Sequence, residues 1–257
     1  MCMGLTLVNG AYRKTTLTVI LSDVQPHYLH QLHVLEVLQS ARRYNDWIAS
    51  LARPHLGDDP LEIGSGLGDQ AERWLQAGVP KVTLSDLEWR ALDSLERRFQ
   101  DDKRVEIRQI DIVDPEPGTY SAVVAVNVLE HIPDDTAALL NIRELLRPRG
   151  RVVVFVPAFG FAMSRFDKEI GHFRRYTKQM LLDRFATAEL KPLEVRYVNA
   201  PGLMAWVVFM KMLRGQPSEG RLLELWDRVV VPITRVLESP FGAPFGQSVL
   251  AVAESSE

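Results

Sequence analysis

The stretch that most constrains the fold is Leu61-Glu62-Ile63-Gly64-Ser65-Gly66-Leu67-Gly68-Asp69-Gln70, where a short apolar run gives way to alternating glycines and then to helical sequence. Pro60 to Ile63 has the compact apolar block of a buried parallel strand, with Pro tolerated at the strand's first residue. Gly64, Gly66 and Gly68 let the backbone turn tightly and admit a ligand against the peptide groups, and Asp69 to Ala77 resumes a helical period. Strand, glycine loop and helix are the first half of a nucleotide-binding unit.

A dinucleotide fingerprint wants G-x-G-x-x-G or Ala at its last position, and here Asp69 stands there, with a charge that opposes a pyrophosphate. G-x-G-x-G with Glu62 two residues ahead of the first glycine suits a cofactor with no phosphate and a positive end. S-adenosylmethionine, with its ammonium, sulfonium and nucleoside, is the expected cofactor. Lys81 to Asp86 reads as a second strand ending in an acid, and Val105 to Ile110 as a third, followed by Asp111. In doubly wound sheets an acid ending the second strand accepts from the ribose hydroxyls. Asp111 is placed to accept from an adenine amine, with Ile112 lining the ring. Tyr44, in the short helix leading into the loop, is placed to cover the cofactor or to pack on Trp47.

The chain has 257 residues, 46% hydrophobic and 25% charged, enough for one sizeable core with appendages. Thirty basic residues against 33 acidic give a net charge of −3, and no Lys/Arg block suggests a nucleic-acid groove. The single cysteine, Cys2, excludes an intrachain disulfide, so a cytoplasmic location is expected. No run approaches the roughly 18 apolar residues of a membrane span, and the start of the chain lacks the pattern of a signal peptide. A helix is expected from Pro26. Its His27, His30 and His33 drift around the helix by successive i+3 steps, so no metal site is expected there.

Ala122 to Val126 reads as a fourth strand, Arg151 to Val156 as a fifth, Leu193 to Val198 as a sixth and Ser248 to Ala253 as the last. The glycine loop, the Asp86 and Asp111 strand ends, Val128-Leu129-Glu130-His131-Ile132 and Leu146-Arg147-Pro148-Arg149-Gly150 together resemble the class I S-adenosylmethionine-dependent methyltransferases. The likeness covers about 43–190. It implies an α/β, doubly wound, Rossmann-like sheet of seven mostly parallel strands with an antiparallel last strand, N-terminal helices and a helical insertion before that strand. The implied cofactor site comprises Tyr44, Glu62, Gly64, Ser65, Gly66, Gly68, Asp86, Leu87, Asp111, Ile112 and Asn127. Ser121 departs from the pattern, since many relatives have Asp opening the fourth strand.

Phe166 to Thr177, with Tyr44-Asn45-Asp46-Trp47 and Pro244 to Ser248, is similar to a bacterial methyltransferase group associated with glycan or lipid assembly. His172 is the expected general base, with His131 second; Arg175, Tyr176 and Trp206 are the expected acceptor contacts. For Arg174 and Arg175, pairing with Asp167 or Glu169 to pin the loop is the favoured reading. The expected organisation is an extension and helix over 1–42 and a methyltransferase domain over 43–257, with 200–243 a substrate cap. Gly202 to Met210 is almost wholly apolar, with the core its first expected place and a pocket wall or membrane interface the others. The expected activity is methyl transfer to a small-molecule hydroxyl of a saccharide, lipid or natural product. No nucleic-acid partner or membrane span is expected and no metal ligands are assigned, while assistance by a divalent metal and peripheral membrane contact are left open. A non-catalytic partner of the same fold and an NAD(P)-dependent oxidoreductase are the alternatives.

Overall fold

The computed structural model describes residues 39–115, 118–212, 221–238 and 242–255. The expected helix from Pro26, with its three histidines, lies outside them. The strands are Pro60–Ile63 (β1), Val82–Ser85 (β2), Val105–Arg108 (β3), Tyr120–Val126 (β4), Leu146–Pro157 (β5), Leu190–Val198 (β6) and Ser248–Ser255 (β7). They form one sheet in the order β3-β2-β1-β4-β5-β7-β6. β1 to β5 pair parallel with one another, and β7 runs antiparallel to both β5 and β6. The fold is the expected one.

The helices are Arg42–Ala52 (α1), Asp69–Gln76 (α2), Trp89–Phe99 (α3), Asp135–Glu144 (α4), Arg165–Glu169 (α5), Lys178–Thr187 (α6), Ala200–Trp206 (α7), Arg221–Leu225 (α8) and Val231–Glu238 (α9). Strands buried on both faces need continuous apolar runs, which is why Ala122 to Ala125 and Val152 to Val156 contain no polar residue. One face packs Val124, Val153 and Phe155 against Trp47, Trp74 and Leu95 from α1, α2 and α3. The other packs Val123, Val152 and Val154 against Leu139 and Ile142 of α4 and Leu181 and Phe185 of α6.

The third strand stops at Arg108, short of the expected Ile110. Its partner among the described residues, β2, ends at Ser85, which pairs with Arg108. Ser121, in β4, serves as a tie. Its hydroxyl donates to the Leu56 carbonyl and accepts from the Asp59 N–H at 2.9 Å. A side chain at Gly57, whose φ is +70°, would meet the Ser121 Cβ at 2.6 Å, so a compact residue fits here.

Between β6 and β7, residues 200–212 and 221–238 are helical, with π-helical turns at Val207–Met212 and Trp226–Val230. Two buried carboxylates seat it. Asp227 accepts from the N–H groups of Arg43 (3.1 Å) and Tyr44 (2.9 Å) in the first turn of α1. Glu238 accepts from those of Asn199 (2.9 Å) and Ala200 (2.8 Å) at the start of α7. Among the described side chains of Gly202 to Phe209, the core placement holds for Gly202 and Leu203. Met204, Val208 and Phe209 are exposed.

Candidate active site

Strand order reverses between β1 and β4, and in open α/β sheets the crevice for ligands opens at the carboxyl ends of the strands at such a point. The glycine loop leaves β1 there, and Asn127 follows β4. Gly64 has φ +65°, and a Cβ on it would meet Val128 Cγ2 at 2.7 Å, so this loop and the end of β4 touch only because residue 64 is glycine. Gly68 has φ +79° and faces Phe99 and Leu95; its smallness serves the packing of α3.

The loop is held from both sides. The Ser65 N–H donates to the Ser85 carbonyl (2.8 Å), and the Ser65 hydroxyl donates to the Glu62 carbonyl (3.1 Å). Asp86 accepts from the Gly66 N–H (3.0 Å) with one oxygen and from the Glu88 N–H (3.0 Å) with the other. A carboxylate has further lone pairs, so Asp86 both shapes the loop and can still accept from a ribose. Leu87, Ile110 and Asp111 line a groove of about 380 Å³ with Arg108, Gln109, Asp114 and Pro115. Ile112 does not line it. Its side chain is turned into the core, and Ile110 takes the place expected of it.

Glu62 is buried, and its Oε2 has no hydrogen-bond partner. Burial, with the charges of Asp69 and Asp86 adding to it, pushes its carboxyl up to about 8. An acid held in this state invites a cation, and the ammonium of S-adenosylmethionine fits that demand. Asp69 is paired with Arg98 at 2.9 Å, so its charge is compensated and opposes a diphosphate less than the sequence implies. The case for the cofactor rests on Glu62. Asn45 and Gln70, 3.3 Å apart and buried behind the loop, escaped the sequence reading, since neither belongs to the glycine motif.

Tyr44 stands edge-on to Trp47, with ring centroids 6.4 Å apart. Its hydroxyl bonds to Ser248 and Asn199 at the ends of β7 and β6, and burial raises it to about 12.

A second polar cluster follows β4. The short 3₁₀ turn Leu129–His131 presents Glu130 and His131, and the segment after α5 brings His172 to them. The His172 ring nitrogen Nδ1 lies 2.9 Å from Asp167 Oδ1, and its Nε2 lies 3.8 Å from Glu130 Oε1. Asp167 caps α5 through Ser164 and also receives Arg175. Burial alone would raise the Asp167 acid, but the His172 hydrogen bond and the Arg175 charge hold it down at about 2. The ionised carboxylate fixes His172 with Nδ1 as donor and leaves the lone pair on Nε2. The His131 ring packs edge-on at 4.6 Å, and burial first, then His172, lowers it to about 4.

Two expected acceptor contacts lie elsewhere. Tyr176 is fully buried, its hydroxyl donating to the Leu129 carbonyl (3.1 Å) and meeting Asp135 (3.0 Å). The Arg175 guanidinium is spent on Asp167 and the Ala158 carbonyl, with its carbon 4.5 Å from the Trp206 ring centre. Both hold the loop. Trp206 itself donates to the Ala162 carbonyl (3.0 Å) and joins the insertion to the loop after β5.

Residues 61–152 match the family model described as a methyltransferase domain. Residues 61–152 thus carry a methyltransferase domain. A ubiquinone biosynthesis O-methyltransferase of Ralstonia nicotianae is 27% identical to this chain over 192 residues, 68% of this chain and 76% of that one. Another with the same name, from Xanthomonas euvesicatoria pv. vesicatoria, is 34% identical over 97 residues. That match spans 36% of this chain and only 40% of the relative's length. The geranyl diphosphate C-methyltransferase of Streptomyces coelicolor shares the fold, with a TM-score of 0.59 at 16% identity over 80% of this chain and 78% of that one; its structure contains S-adenosyl-L-homocysteine. Phosphoethanolamine N-methyltransferase 2 of Haemonchus contortus, solved with S-adenosyl-L-methionine, gives 0.59 at 15% identity over 83% of this chain and 53% of that one.

Proposed function

We propose that this protein methylates a hydroxyl group on a lipid or lipid-linked small molecule, with S-adenosylmethionine as donor. The observation that carries methyl transfer is the glycine loop with the unpaired, buried Glu62 oxygen behind it. Glu62 and Gln70 hold the amino-acid end of the cofactor, Gly64 and Gly66 admit it to the backbone, and Asp86 and Asp111 receive its nucleoside. Bound there, it supplies an electrophilic methyl group on sulfur. The chain's own contribution is largely positioning, since transfer needs an acceptor oxygen held in line about 3 Å away.

The apolar acceptor is supported by the insertion. Met204, Val208 and Phe209 are exposed on α7 and the turn after it, where Trp206 ties the segment to Ala162 in the loop after β5, and Val229 and Ile233 of the same insertion are exposed as well. Relatives named for ubiquinone biosynthesis point the same way. A substrate-cap role for 200–243 and membership of a glycan- or lipid-assembly group follow from the same reading. His172 faces the acceptor side, and proton transfer to its Nε2 is the simplest use of the lone pair that Asp167 leaves open.

Methyl-labelled cofactor incubated with a bacterial lipid extract, and separately with the aqueous fraction, tests the assignment. Label should enter an alkali-stable ether in the lipid fraction, and Trp206→Ala should lower that incorporation while leaving cofactor affinity within a few-fold. Label only in aqueous products would overturn the lipid acceptor, and no cofactor binding by folded protein would overturn methyl transfer itself.

A further inference from the structure

Glu130 has no ordinary reason to be where it is. It is fully buried, and neither carboxylate oxygen has a hydrogen-bond partner. Arg175, the nearby cation, is bonded to Asp167 and to the Ala158 carbonyl. The His172 Nε2, at 3.8 Å, is too far for a hydrogen bond. A buried carboxylate left like this costs free energy unless something else completes it.

What surrounds it are nitrogen donors. One ligand atom each from Glu130, His131 and His172 fall within 4.8 Å of one another. The ligand bonds of a first-row divalent ion are about 2.0–2.2 Å, so shifts of the order of 1 Å would bring all three onto one ion. His172 is also prepared as a metal-binding imidazole is, with its far nitrogen donating to a carboxylate, Asp167, that fixes the tautomer and ring plane. Asp167 is fixed in turn by Ser164 and Arg175. His131 is anchored by a hydrogen bond to the Gly171 backbone.

We propose that Glu130, His131 and His172 form a binding site for a divalent transition-metal ion. Two imidazoles and one carboxylate select zinc, manganese, iron, cobalt or nickel over magnesium and calcium, which prefer all-oxygen sites. Three protein ligands leave a position open, the arrangement of reactive rather than purely structural centres. The site stands at the end of β4, directly after Val128, which touches the glycine loop at Gly64. With an ion there, Nε2 of His172 would be a ligand, and the ion would lower the pKa of a bound hydroxyl in place of direct proton transfer to His172.

The test uses the full chain, stripped with chelator and then titrated with cobalt(II) or zinc(II). Cobalt should produce visible absorption bands saturating at about one equivalent per chain. Zinc should raise the thermal midpoint of the wild type. Glu130→Gln and His131→Gln should each weaken binding by tenfold or more and abolish the thermal shift. His27, His30 and His33 give these variants their force, because metal held by those histidines would be indifferent to both. Cofactor calorimetry on each variant confirms folding independently of the metal, so a missing metal and a missing methyltransferase are told apart. If Glu130→Gln does not fold, His131→Gln carries the test. Binding unchanged in folded His131→Gln, or no binding by folded wild type, overturns the site.

Discussion

Asp86 illustrates how one side chain does two jobs. It was legible in the sequence as the acid ending a second strand, and that part needs only local pattern and spacing. The structure adds that both of its oxygens also hold backbone N–H groups, of Gly66 and Glu88. Asp86→Ala should therefore weaken S-adenosylmethionine binding by roughly 1.5–3 kcal/mol, the worth of hydrogen bonds to a charged group. Asp86→Asn, which keeps an acceptor oxygen, should lose less. Calorimetry on both decides it, and equal affinities for Asp86→Ala and wild type would remove Asp86 from the site. Ile112 and Tyr176 were misplaced for a common reason, whereas Arg175 pairs with Asp167 as its favoured reading had it. Whether a side chain next to a motif faces the crevice or the core depends on neighbours distant in sequence, such as Asp135 and Leu129. Glu130 could have been suspected, since an acid in an apolar turn beside a histidine needs a partner.

The elements that were read correctly are those whose pattern is self-contained. β1 and α3 have the boundaries that apolar blocks and helical periodicity give them, whereas β3 is cut short by its partner and β5 is extended by pairing at Leu146 with Tyr120. The N-terminus of α1 is a case that no local pattern discloses. Its N-cap, Ala41, offers no side-chain acceptor, and the first-turn N–H groups are received by Asp227, 184 residues on from Arg43. Asp227 thereby fastens the insertion to the helix that precedes the glycine loop. Asp227→Ala should destabilise the protein by about 1–3 kcal/mol, the range for lost caps and for hydrogen bonds to charged groups. For a chain of this size that is a fall in melting temperature of roughly 2–4 °C per kcal/mol. Asp227→Asn should recover part of it. A melting temperature unchanged in Asp227→Ala would show that the insertion is held by its apolar contacts alone, through Val231 and Trp226.

At the scale of the whole molecule, the fold places a buried acid at the cofactor loop and accepts a stability cost at high pH for it. Glu62 is held protonated up to about 8 in the folded chain, against an ordinary value of 4.5. Between those two pH values the folded state binds a proton that the unfolded chain has released. The stabilisation it confers is complete below the ordinary value and is lost as pH rises through about 8. The slope for one group is about 1.4 kcal/mol per pH unit across the middle of that window. Denaturant unfolding measured from pH 5 to 9 should thus show a steeper loss of stability in wild type than in Glu62→Gln, which cannot titrate. Binding has the opposite sign. The cofactor's ammonium favours the ionised carboxylate, so affinity should rise with pH up to about 8 and level off above it, with proton release detectable as a dependence of the binding heat on buffer. Glu62→Gln should bind more weakly at pH 8 and show neither the rise nor the proton release. Equal pH slopes in wild type and Glu62→Gln, for stability and affinity alike, would place the proton elsewhere and leave the glycine loop without the charge that selects its cofactor.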